Sequence, residues 1–380
     1  MRSRKATILA VLTVVALSGT ACSQGRSSGS ADAGETAGSA NAAAQKEVEQ
    51  YLTAPAGIPI TAPLATCPPP GKKLIVTENP QAVTRKTNDG LEEGAKILGW
   101  TVVRQPVGTG PEDPQKAFGA ALDQKPDAVL VSGNPSSTFR AQLDRANAEG
   151  IKVLISDNGE PAGTNGTATT LTLDNFDQTG LFGKMSADFA AAKGAKHVLV
   201  VDLSLYPILH AYTEGVVAEL KKIAPDTKST VLDAQITDLV AGEIPNKVVS
   251  EIQRNPDIDW VVMSLGDMTT GLSAALRAAG LADKVQIGGE SASTANVTAL
   301  KSGAEDAWTG FAAEIHGMYR IDALARLFNG EDLKPVNDAK LPTQLLTPDN
   351  IATAPLDDEG YYVGVPDYTT YFQGLWKKAC

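Results

Sequence analysis

A chain of 380 residues with 44 acidic against 33 basic side chains carries a formal charge of −11. Its length allows two or more domains, and its acidity argues against a nucleic-acid partner. The apolar content of 43 % is that of an ordinary globular chain, with only three histidines and three cysteines for polar chemistry.

The first element is a processing signal. "MRSRKATILAVLTVVALSGTAC" has a basic start, an apolar run from about Ala6 to Leu17, and small residues before Cys22. That is the pattern of an export signal, and the run is too short for a spanning helix of ~20 residues. The stretch resembles a bacterial lipoprotein signal, which implies a lipid on Cys22 and an anchored protein. Gly19-Thr20-Ala21 also serves as an ordinary cleavage site, leaving a secreted or periplasmic chain. The next residues are Ser/Gly/Ala-rich and read as a flexible tether, ending in a possible short helix, "KEVEQYL", and a Pro-rich lead-in. Two thiols remain, Cys67 before the first strand and Cys380 at the end. In an exported chain they either pair, pinning both ends of the folded part, or stay free.

From Lys72 onward apolar runs alternate with helical stretches. Strands are expected at Leu74–Thr77, Thr101–Arg104, Ala128–Ser132, Val153–Ser156, Val198–Asp202, Thr230–Ala234, Trp260–Ser264, Val285–Gly288 and Ala307–Phe311. Helices are expected over 87–98, 114–123, 137–149, 178–192, 208–223, 245–254, 269–279 and 314–329. This alternation predicts an α/β fold with parallel sheets covered on both faces. After "KVLISDNGEP" no helix follows, and "ATTLTLDNFDQTG" offers another extended run. One lobe therefore hands over to a second.

In such sheets the carboxyl ends of the strands face the ligand. Those ends read "TENPQ", "SGNPSS", "SDNGE", "LDN", "DLSLYP", "SLGD" and "GGES". They are rich in side chains that exchange hydrogen bonds with hydroxyl or amine groups. Any one of them also serves as a helix cap. Catalytic patterns are weak. There is no HExxH or CxxC, "GESAS" lacks one glycine of a nucleophile elbow, and no phosphate loop is present. His197 and His316 read as surface or satisfied core residues, while His210 follows a strand end and could reach a cleft.

These segments in this order resemble the sugar-type (ribose- and galactose-like, type I) periplasmic binding proteins. "NDGLEEGAKILGW" matches the first helix, "PDAVLVSGNPSS" the second unit, and "TLTLDNFDQTG" the first hinge crossing. "PDIDWVVMSLGDMTTGLSAALRAAG" and "VQIGGES" match the second lobe. The resemblance implies two Rossmann-like lobes joined by a three-segment hinge. It implies capture of a small polar ligand (sugar, polyol or related) for an ABC permease, with no cofactor, metal, catalysis or nucleic acid, in a monomer. A partner sensor in place of the permease, or an exported hydrolase, are the alternatives. Carried over by position, the resemblance implies a ligand set that includes Gln81, Thr84, Asp157, Asn158, Asn175, Tyr212, Glu290 and Phe311; the strand ends add Glu78, Asn79 and Asp267, and Trp308 adds a stacking ring, twelve positions in all. Val83 and Thr84 stand where the family places aromatic rings. Asn158 and Tyr212 stand at or near its arginines, so the site is expected to be acidic and amide-rich.

The expected layout is a signal over 1–21 and tether with lead-in over 22–68. Lobe 1 takes 69–174 plus 312–342, and lobe 2 takes 175–311 plus 343–380 with a C-terminal extension. That extension carries Tyr361, Tyr362, Tyr368, Tyr371, Phe372 and Trp376, too aromatic for a disordered tail. It is expected to pack back over the body.

Overall fold

The computed structural model describes residues 32–160, 170–173 and 176–377. In chain order a helix α1 (Asp32–Tyr51) precedes the first lobe. Lobe 1 contains β1 (Lys73–Glu78), α2 (Ala82–Ile97), β2 (Thr101–Pro106), α3 (Asp113–Asp123), β3 (Ala128–Ser132), α4 (Arg140–Glu149), β4 (Lys152–Ser156) and β5 (Thr170–Leu173). Lobe 2 contains α5 (Phe176–Ala192), β6 (His197–Asp202), α6 (Pro207–Ile223), β7 (Lys228–Asp233), α7 (Ile236–Ala241), α8 (Ile244–Arg254), β8 (Trp260–Met263), α9 (Leu272–Ala278), β9 (Gln286–Gly289), α10 (Thr294–Ser302) and β10 (Ala307–Phe311). The chain then returns through α11 (Ala313–Asn329) and α12 (Lys334–Asn337) to β11 (Thr343–Leu346) and ends in α13 (Tyr368–Lys377).

All nine expected strands are present, with β5 in the extended run after the fourth unit and β11 in the last crossing segment. The lobe 1 sheet has the order β2-β1-β3-β4-β5 and is parallel throughout. Lobe 2 has the order β11-β10-β9-β8-β6-β7, parallel except for the β10–β11 pair. Continuous apolar runs such as Leu74-Ile75-Val76 and Val198-Leu199-Val200-Val201 are buried on both faces. In each lobe the strand order reverses once, between β1 and β3 and between β6 and β8. A parallel sheet opens a crevice at such a reversal, because the flanking crossovers leave in opposite directions. The two crevices face one another.

Each lobe closes around one tight helix crossing. In lobe 1, α2 lies on α11 at Gly90 and Gly317. A Cβ at Gly90 would sit 2.1 Å from the Glu314 carbonyl oxygen, and one at Gly317 2.2 Å from that of Thr87. In lobe 2, Gly183 meets the Tyr212 carbonyl oxygen in the same way, at 2.1 Å. Gly90→Ala is expected to push these helices apart at a cost of about 1–3 kcal/mol, as overpacking does. Urea unfolding checks it, and an unchanged midpoint would disprove the close approach.

Two expectations about the ends are corrected. The expected tether contains α1, which lies on α5 of lobe 2. There the Tyr51 hydroxyl donates to Asp188 at 3.0 Å, and Lys184 donates to Glu47 at 3.1 Å and Asp188 at 2.7 Å. Asp188 is a buried acid that Lys184 of its own helix already pairs, and α1 adds the Tyr51 hydroxyl as a second donor. The Pro-rich lead-in then runs over lobe 1, where Arg326 donates to the Ala62 carbonyl and Asn329 to that of Thr66. The tail does pack back, but α13 joins lobe 1 rather than lobe 2. Trp376 is fully buried there and donates to Asp322 at 2.7 Å, and the Tyr371 hydroxyl donates to the Ile60 carbonyl at 2.8 Å. Cys67 is disulfide-bonded. The lipidation candidate Cys22 and the disulfide candidate Cys380 lie outside the described residues.

Candidate functional site

The two crevices meet in one cavity between the lobes. Lobe 1 contributes Asn79, Gln81, Val83 and Thr84 after β1, Ser132 and Gly133 after β3, and Asp157 after β4. Lobe 2 contributes Tyr206 after β6, Ile208 and Leu209 at the start of α6, Leu265 after β8, and Glu290 after β9. Phe311, His316 and Arg320 come from the return between lobes. Polar groups converge from the strand ends, and Val83, Ile208, Leu209, Leu265 and Phe311 form apolar walls.

The lobes are closed on this cavity. The Asp267 carboxylate of lobe 2 accepts from the Ala82 backbone N–H at 2.9 Å, the first amide of α2 in lobe 1. An acid at a helix N-terminus meets both an unused N–H and the positive end of the dipole. Tyr206 hydrogen-bonds to the Gln81 side chain. Its ring lies over Gly133, 3.2 Å from where a Cβ would be, and the φ of +84° at Gly133 also favours glycine.

Two charged groups set the field of the cavity. Arg320 is buried, and its guanidinium donates to the Asp157 carboxylate. His316, one helical turn earlier on α11, places Nε2 3.6 Å from the other Asp157 oxygen. Burial pushes the His316 imidazole down to about 4, with Asp157 opposing and Arg320 adding to the shift, so it is neutral near pH 7. Burial also pushes the Glu290 carboxyl well above the usual range, and the charge of Asp157 adds to it.

Of the twelve ligand positions expected from sequence, Asn79, Gln81, Thr84, Asp157, Glu290 and Phe311 line the cavity. Five do not. Glu78 accepts from Arg104 at 2.8 Å and Asn88 at 3.2 Å, because alternation along β1 turns it away from its neighbour Asn79. Asn158 bonds to Glu160 and braces its own loop. Tyr212 sits in the α5–α6 packing, fully buried, with its hydroxyl donating to Ser186. Trp308 is core, donating to Glu305 at 2.7 Å. Asp267 is the latch described above, beside the outer groove that also holds Leu239. Asn175 lies outside the described residues.

The histidine expectations divide as well. His197 is buried and bonded to Thr230. His210 does not reach the cavity, since Asp202 holds it at 2.6 Å. His316, read as inert, lines the cavity, and so does Arg320, which sequence reasoning missed. A signal existed: α11 is buried nearly all round, yet carries His316, Arg320, Asp322 and Arg326. Buried charge on such a helix demands partners. The expected loss of cations is therefore half corrected, because Arg320 supplies one from a different element. Among the described residues no cluster of His, Cys, Asp and Glu is placed to hold a metal.

Two α/β lobes closed on a polar cavity define a solute-clasping protein. The chain belongs to the periplasmic binding protein domain family, which matches residues 74–332. Proteins of this family bind solutes and are not enzymes. The ribose import binding protein of Bacillus subtilis is 26 % identical over 210 residues, 55 % of this chain and 66 % of that protein. This chain thus aligns with just under two thirds of that relative's length. Among solved structures, a carbohydrate transporter from Acidothermus cellulolyticus with myo-inositol has a TM-score of 0.60 at 18 % identity, over 74 % of this chain and 96 % of that one. A solute binding protein from Actinobacillus succinogenes with D-allose has a TM-score of 0.62 at 19 % identity, over 75 % and 99 %. About a quarter of this chain therefore lies outside the common fold.

Proposed function

We propose that the protein is an extracytoplasmic capture subunit that closes on a small polyhydroxylated ligand, a sugar or polyol, and delivers it to an ABC permease. The observation that carries this reading is the cavity itself. Buried Arg320, His316, Glu290 and Gln81, with the half-buried Asp157, offer both donors and acceptors at the meeting point of two lobes. A hydroxyl both donates and accepts, so a polyol meets such a mixed lining without leaving groups unpaired. The aliphatic Val83 and the rings of Phe311 and Tyr206 take its C–H faces. The relative named above is a ribose import binding protein, and the neighbours hold myo-inositol and D-allose. Closure as a hinge needs few moving residues.

The same reading places the working form outside the cytoplasm as a monomer, held at the membrane by a lipid on Cys22, with Cys67 paired to Cys380. Intact mass before and after reduction checks the bridge, and a count of free thiols unchanged by reduction would refute it. Thermal melting against neutral sugars and polyols tests the function. A ligand at about 100 times its dissociation constant adds ~2.7 kcal/mol to the native state. A shift with one of these compounds supports the reading; shifts only with amino acids, peptides or polyamines would overturn it.

A further inference from the structure

The cavity contains two carboxyls and one bound cation. Asp157 is matched by Arg320. Glu290 is not: it is 3 % exposed, lines the cavity, and meets no hydrogen-bond donor among the described residues. Asp157 after β4 and Tyr212 on α6 lie within electrostatic reach of it, and His316 and Arg320 on α11 line the same cavity. Tyr212 gives its hydroxyl proton to Ser186, Arg320 is held by Asp157, and the buried His316 ring is neutral. The Arg320 Nε is left without a partner, yet no described side chain gives Glu290 a hydrogen bond or an ion pair. A second acceptor is also idle, since the Gln81 Oε1 is buried without a partner.

Building on the reading of the cavity as a polyol site, we propose that its ligand carries a basic nitrogen beside its hydroxyls, as an amino sugar or aminocyclitol does, with the ammonium seated against Glu290. An ionised carboxylate out of water is costly unless it is paired and hydrogen-bonded. A hydroxyl meets only the second need. An ammonium meets both, with a full charge and three donors. The protons balance simply. In the empty cleft burial and the charge of the neighbouring Asp157 both favour the protonated form of Glu290. On binding, that proton leaves to solvent and the ligand keeps its own, so each ammonium bound releases about one proton. A neutral polyol binds without that release.

The test is titration calorimetry with the full chain at pH 7, in two buffers of different ionisation heat. The probes are matched pairs: glucose with glucosamine, galactose with galactosamine, and scyllo-inositol with scyllo-inosamine. In at least one pair the amino member should bind about tenfold tighter or more and release about one proton. Glu290→Gln should collapse that ratio towards one. This variant should fold. Native Glu290 holds a proton that the unfolded chain gives up above the ordinary glutamate range, so wild-type stability falls as pH rises through that window. Glutamine removes that loss, and the variant should melt no lower than wild type at pH 7. Equal or tighter binding by the neutral member of every pair that binds would overturn the inference and leave the polyol reading standing. So would an amino preference that survives in Glu290→Gln. Binding by no member of any pair would overturn both.

Discussion

Arg320→Ala is expected to cost about 3–5 kcal/mol of stability and to abolish ligand binding. The cost follows from what remains. Asp157 would lose the guanidinium that donates to it, while its charge still acts on the buried Glu290 carboxyl. Breaking a buried pair from one side is far more damaging than removing both partners, because one charge stays unpaired. Arg320→Ala combined with Asp157→Asn should therefore recover much of the lost stability without recovering binding. Arg320→Lys should fall between, since a lysine keeps the charge but not the planar fork. Denaturant melts of the three variants and of wild type decide this. Equal loss in the single and double variants would mean that Arg320 stabilises the fold through packing rather than through Asp157.

Trp376→Ala is expected to cost about 3–5 kcal/mol, the range for emptying a large buried aromatic site. Trp376 is fully buried, with its ring against Phe372 at 5.0 Å between centroids, and it reaches the position a Cβ at Gly94 would approach. Its indole N–H also satisfies Asp322, which Arg326 bonds from the other side at 2.7 Å. Losing the indole leaves a cavity and a half-satisfied buried acid together. The damage should fall on lobe 1, with ligand affinity changed little in the molecules that remain folded. An unchanged melting transition would mean that α13 does not pack on α2 and α11.

Much of the fold was legible. Short apolar runs spaced by amphipathic helices specify buried parallel strands, and Leu91 and Ala95 of α2, with Leu98 just after it, share a helical spacing and are buried. Half of the site was legible for the same reason. Strand ends in such sheets face the ligand, so Asn79, Gln81, Asp157 and Glu290 could be placed by their position alone. The misses have two causes. Glu78 and Asn79 are adjacent, and which one points at the cavity depends on strand alternation where β1 ends. Tyr212 and Trp308 are polar-tipped rings near the cleft in sequence, and packing drew them into the core.

The amino-acid sequence by itself determined the strand–helix alternation, the two-lobed α/β class and the polar character of the strand ends. These are set by local periodicity and by chain direction. Only the tertiary structure decided which polar residues meet. Arg320 reaches Asp157 over a separation of 163 residues, and Asp267 reaches Ala82 over 185. Likewise α1 and α13 find their places because lobe surfaces offer partners for Tyr51 and Trp376. No periodicity within a helix records such partners. A buried charge takes its counter-ion from whatever element the fold brings within reach, and that is a property of packing.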